Sequence, residues 1–248
     1  MGNNNLKLIS INDLLGMKFH IPTYQRGYRW QEQQVIDLLN DILEFKDNKS
    51  RSQEEIYCIQ PLVVKFRDKV TLDSIKEANS IDEVKSILKG SWDVIDGQQR
   101  LTTIHILLSY LEPKLPNKYS IEYATHRSDS NDDNIPGSKE LLDSLHDEAF
   151  RNSDDYAKIK DSNIDYFHIC QTYQVVSRWF DEQKVDKASF LSVLKSKVQF
   201  IWYETEEADP IRVFTRLNIG KIASDNYDLC FEKIENKVIK TTVDKINA

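Results

Sequence analysis

Residues 92–104 restrict the fold more than any other stretch of this chain. They run Trp92-Asp93-Val94-Ile95-Asp96-Gly97-Gln98-Gln99-Arg100-Leu101-Thr102-Thr103-Ile104. A short apolar strand ends on Asp96-Gly97, a dipeptide that makes turns. Leu101, Ile104, Leu107 and Leu108 then recur at helical spacing, which predicts a helix over 98–111. Neither the strand nor the helix can bury its apolar face alone, so the pair must pack within a domain of sheet and helix. Polar groups crowd the junction between them. In such units ligands gather at strand carboxyl ends and helix N-termini. Asp96 could hold a metal ion or position a water, Gln98 or Gln99 could orient that water, and Arg100 could neutralise phosphate charge. The same spacing suits a plainer arrangement, with Asp96 capping the helix and Arg100 paired to it.

A second polar cluster lies upstream, Ile21-Pro22-Thr23-Tyr24-Gln25-Arg26-Gly27-Tyr28-Arg29-Trp30. Two arginines, two tyrosines and a tryptophan precede an amphipathic helix over 31–45, whose apolar face is Val35, Leu38, Leu39, Ile42 and Leu43. Arginine forks bind phosphate or carboxylate, and aromatic faces stack on bases. The alternative is an aromatic loop packed on the domain, its arginines paired to local acids. Because both clusters are polar and both precede a helix start, they are expected to meet around one cleft. A third segment, Phe214-Thr215-Arg216-Leu217-Asn218-Ile219-Gly220-Lys221, reads as a helix stop with cations on either side.

The remaining pattern predicts a short helix over 6–15 with Ser10 or Asn12 as its cap, and strands at 18–21, 57–66, 119–123 and 198–203. Further helices are expected at 81–88, over much of 138–183, and at 210–218 and 226–238. Strands mixed with blocks of helix define an α+β class. The chain divides into a core over 1–125, a helical insertion over 126–196, and a return strand with C-terminal helices over 197–248.

Bulk charge argues against a general nucleic-acid binder, because the formal net charge is −7. DNA contact would need a local patch around Arg26 and Arg29, or a partner. Cys58, Cys170 and Cys230 are odd in number and form no CxxC pair, which suits a reducing compartment and predicts a cytoplasmic protein. No apolar run approaches a membrane span. The sequence has no GxxxxGK[ST] phosphate loop, no HExxH and no GxSxG. His20, His105, His126, His146 and His168 are scattered.

The polar segments resemble the N-terminal domain of GmrSD-type restriction enzymes, domain of unknown function 262. The first family motif, near IPxYQRxYxW, is matched by Ile21, Pro22, Tyr24, Gln25, Arg26, Tyr28 and Trp30. The second, DGQQR followed by LTT, is matched from Asp96 to Thr103. The third is matched in part: Asn218, Gly220 and Lys221 are in place, whereas Ala223, Ser224 and Phe231 depart from the pattern. The resemblance implies a ParB- and sulfiredoxin-like small mixed sheet with helices, plus a helical annex. It also implies binding and hydrolysis of a nucleoside triphosphate with Mg2+, with Asp96, Gln98, Gln99 and Arg100 as the catalytic set and Asp96 as metal ligand. Tyr24, Gln25, Arg26, Arg29, Thr102, Thr103, Asn218 and Lys221 would bind nucleotide or DNA phosphate. The implied partners are DNA, in particular modified phage DNA, and a nuclease domain or subunit of the His-Asn-His type; self-association stays open. The implied role is the DNA-sensing, nucleotide-handling part of a modification-dependent (type IV) restriction system, without the nuclease. The rivals are a non-enzymatic module sensing DNA phosphates and a nuclease in its own right.

Overall fold

The computed structural model describes residues 6–50, 52, 54–67, 75–77, 79–125, 136–206 and 211–212. The chain separates into two compact units, 1–208 and 209–248, and the description that follows is of the first. The segment carrying Asn218 and Lys221, and the helices expected at 210–218 and 226–238, lie outside the described residues apart from a helical Ile211 and Arg212.

Six strands form one mixed sheet: β1 Leu6–Ser10, β2 Lys18–Ile21, β3 Tyr57–Phe66, β4 Ser91–Asp96, β5 Ser120–Tyr123 and β6 Val198–Glu204. Their order is β1-β6-β3-β4-β2-β5. β1 runs antiparallel to β6 and β3 antiparallel to β4, while β3/β6, β2/β4 and β2/β5 are parallel. The class is α+β, as the sequence predicts.

The helix expected over 6–15 is instead a strand followed by one helical turn. Leu6–Ser10 pairs with Gln199–Tyr203, a partner far along the chain that local periodicity does not reveal. Ser10 does cap a helix, α1 Ile11–Leu14. Its side chain accepts from the Asp13 amide while Asp13 reaches back to the Ser10 backbone, a capping box.

β3 is an interior strand in spite of Pro61, which has no amide to give to a ladder. The register between β3 and β6 shifts between Ile59 and Leu62, so the proline sits in an irregularity of the pairing.

The principal helices are α2 Glu32–Asp47, α3 Ile81–Lys89, α4 Gln98–Leu111, α5 Ser138–Ser144, α6 Glu148–Arg151, α7 Asp154–Ser162, α8 Ile164–Gln183 and α9 Lys187–Ser196. α2 buries Val35, Leu38, Leu39 and Ile42, the face its spacing predicts. α4 is buried nearly all round, because sheet and helices enclose it; of its ten buried residues five are apolar and five, Gln98, Thr102, Thr103, His105 and Ser109, are polar. The long α8 packs on both α2 and α4. Trp179 donates its indole N–H to Asn40 at 3.0 Å, and Arg178 pairs with Glu32. Sheet and helices share one apolar core, which runs from Phe19 and Trp202 to Val176 and Phe190. No helix among the described residues is long and apolar enough to cross a membrane.

Candidate functional site

Gly97 makes the turn from β4 into α4. Its φ of +96° lies in the left-handed region, and a Cβ there would stand 2.9 Å from the Pro61 carbonyl oxygen. Only glycine fits both demands. Gly97 is the N-cap of α4 and supplies no side chain.

This tight turn aims the next three side chains in different directions. Gln98, only 6% exposed, donates to the Arg26 carbonyl at 2.7 Å. Gln99 donates to the Gly27 carbonyl at 3.0 Å and accepts from the Arg29 and Trp30 amides at 2.8 and 3.2 Å. Arg100 turns to β3, where it donates to Gln60 Oε1 at 2.6 Å and to the Pro61 carbonyl at 3.2 Å. From the other side, the Gln25 amide donates to the Val94 carbonyl of β4. The two polar segments therefore meet, and primary-amide side chains hold them together. A primary amide suits this task because it both donates and accepts, and so can satisfy loop carbonyls and amides at once.

Thr102 and Thr103 are fully buried. Thr102 shares a 2.8 Å hydrogen bond with Tyr123, and Thr103 one of 2.7 Å with Tyr28. Tyr28 also meets Thr172 of α8 at 3.1 Å, so one hydroxyl ties together loop, α4 and α8. Burial pushes the Tyr28 phenol up to about 12, and burial likewise raises Tyr123. Both remain neutral hydrogen-bonding groups at physiological pH.

The outward face of the junction carries cations. Arg26 is exposed, and its guanidinium makes no ion pair or hydrogen bond with the described residues, although its backbone carbonyl is held by Gln98. Arg29 is about one-third exposed; its Nη1 donates to the Tyr28 carbonyl at 2.8 Å and pairs with Asp165 of α8. Burial, and then the like charge of Arg26, lower the Arg29 pKa. His168 stands one turn beyond Asp165 and is held below its ordinary pKa by burial and by Arg29. Tyr24 and Asp96 are half-buried at the edge of the same region. Gln98 Oε1 is buried and accepts no hydrogen bond from the described residues, which leaves an acceptor for a ligand or water donor.

Asp165, His168 and Thr172 come from a helix whose sequence reads as ordinary amphipathic α-helix, and sequence reasoning did not select them. Gly27 was the available signal. A Cβ at Gly27 would collide with the Asp165 carboxylate, so this glycine marks a close approach of α8.

Asp93 hydrogen-bonds His20 at 3.1 Å and lies 3.4 Å from Arg67. Among the described residues no three His, Cys, Asp or Glu side chains group as a metal site. Mg2+ carried by a nucleotide needs less than that, since one or two carboxylates and the phosphates themselves bind it. Asp96, the orphaned Gln98 acceptor and the exposed Arg26 fit such a ligand.

The fold and this junction define an α+β protein in which two polar segments interlock at a helix start beneath an arginine pair. The chain belongs to the family of the GmrSD restriction endonuclease, N-terminal domain, whose model matches residues 8–234. It is accordingly a component of a restriction system. Comparison with curated proteins gives no match.

Proposed function

We propose that the chain binds a nucleoside triphosphate at the junction of its two polar segments, hydrolyses it, and uses that cycle to report DNA modification to a nuclease domain or subunit. One observation carries the reading: Arg26 is fixed through its backbone yet directs outward, beside Arg29, a guanidinium that has no partner among the described residues. Asp165 already offsets the charge of Arg29, so the charge left for an incoming anion to offset is that of Arg26. Arg26 and the open edge of Arg29 would take the phosphates, Asp96 the Mg2+, and Gln98 Oε1 a hydroxyl or amine donor of the nucleoside. When bound, Mg2+ held by Asp96 would neutralise the negative charge that develops on the phosphates. Tyr24 would flank the nucleoside, and DNA phosphate would approach the same basic edge. Gln98, Gln99, Thr102 and Thr103 would act by holding the loop in place.

A second reading, a sensor of DNA phosphate without turnover, is favoured by the engagement of both glutamines and of Arg100 with the protein. Phosphate release from ATP or GTP by the purified chain with Mg2+ separates the two. Turnover that is lost in Arg26→Ala supports the first reading. Saturable binding of DNA without turnover supports the second. The chain alone should leave modified phage DNA intact, and cutting should require an added nuclease portion.

A further inference from the structure

Asp165 lies in the first turn of α8, 5% exposed, and pairs with Arg29 across the wall of the site. Nη1 of the guanidinium lies against the carboxylate and also donates to the Tyr28 carbonyl. Among the described residues no partner takes the Nε–Nη2 edge, the edge that binds an oxyanion with two parallel hydrogen bonds. Arginine has considerable side-chain freedom to lose on ordering, and anchoring one edge in advance removes that cost from ligand binding. Two further features place α8 here by construction. Gly27 leaves room for the carboxylate against the loop backbone, and Thr172 on the same helix reaches the Tyr28 hydroxyl at 3.1 Å. Gly27 and Arg29 occupy positions that the IPxYQRxYxW pattern leaves open.

We infer that Asp165 is a positioning residue of the phosphate site, and that the annex helix α8, through it, holds Arg29 with its bidentate edge turned to the ligand. The inference rests on the proposed phosphate site and adds to it a residue from outside both motifs. A carboxylate near an anion site also repels the anion, so two effects oppose each other. Loss of the anchor weakens binding, whereas loss of the negative charge strengthens it. The variants separate them. Asp165→Asn keeps an acceptor for Nη1 and removes the charge, while Asp165→Ala removes both.

The test is calorimetric titration of the full chain with inorganic triphosphate, with circular dichroism as the check on folding. Wild type should bind saturably, and Arg26→Ala should abolish binding. Asp165→Ala should weaken it about tenfold, consistent with freeing one rotamer-rich side chain. Asp165→Asn should stay within about threefold of wild type because it keeps the anchoring hydrogen bond. In an Arg29→Gln background, Asp165→Ala should have no further effect, which a general packing role would not produce. If Asp165→Ala does not fold, Asp165→Ser makes the same test with less volume lost. Tighter binding in both Asp165 variants would make the carboxylate a competitor of the ligand and overturn the inference. Unchanged binding in both, with Arg26→Ala still inactive, would overturn it while leaving the phosphate site standing. Absence of binding by wild type would overturn the site and the inference together.

Discussion

In the segment 96–103 the side chains of Gln98, Gln99, Arg100, Thr102 and Thr103 all reach the protein. In the loop 21–30 the backbone is held at Arg26, Gly27, Arg29 and Trp30, Gln25 and Tyr28 reach the protein with their own side chains, and the Arg26 side chain is left outside. Both segments are dense in amides, arginines and hydroxyls. Side chains of both hold the junction, and among the described residues only the second segment leaves an unpaired charge facing solvent. Polar density in a sequence therefore marks a junction without saying which side of it touches a ligand.

The comparison predicts that substitutions in the two segments fail differently. Arg26→Ala should lower nucleotide turnover on the order of 10³-fold, the scale of a lost phosphate-facing arginine. Its melting temperature should match wild type, because the side chain is exposed. Equal turnover in the variant would return Arg26 to a solvated surface role. Gln99→Ala should instead unfold more easily, by about 3 kcal/mol in urea titration, because it strands two loop amides and a carbonyl. A loss under about 1 kcal/mol would mean that water replaces the bracket.

Gly97→Ala should cost about 2 kcal/mol, since alanine is strained at positive φ and its Cβ would press on the Pro61 carbonyl. Wild-type stability in that variant would show that the turn can relax without disturbing the glutamines that follow it. The smallest effect concerns His105, fully buried on α4 against the Tyr119 ring. Burial first, and then the charge of Lys118, hold its pKa well below 6.5. The unfolded chain then binds the proton that the folded chain refuses. Stability is complete above pH 6.5 and falls as pH drops through that value, by up to about 1.4 kcal/mol per unit from this group. His105→Phe should flatten that part of the pH profile, and an unchanged slope would assign it to other groups.

Much of the fold was legible where burial imposes a period. α2 and α4 lie where apolar spacing places them, and β3 was readable in spite of Pro61. β1 was not, because Leu6–Ser10 becomes a strand through β6, its partner at the far end of the described chain. The meeting of the two polar segments was legible because each precedes a helix start. The division of labour within them was not. Sequence places Gln98, Gln99 and Arg100 side by side, whereas the helix turns them toward the Arg26 carbonyl, the Gly27–Trp30 backbone and β3. Asp165 was hidden for the same reason, since its contact with Arg29 exists only once α8 packs on α2 and α4.

The central claim is that Gln99 builds the site by holding the arginine loop. Amide hydrogen exchange at Arg29 and Trp30, compared between wild type and Gln99→Ala under native conditions, tests it most directly. In wild type both amides donate to Gln99 Oε1 and should be protected. In Gln99→Ala both should exchange at least about tenfold faster, a loss of roughly 1.4 kcal/mol of local protection, while the central amides of α4 keep their order of protection. Equal protection of Arg29 and Trp30 in the two proteins would contradict the account, because the loop would then be held by something other than the glutamine.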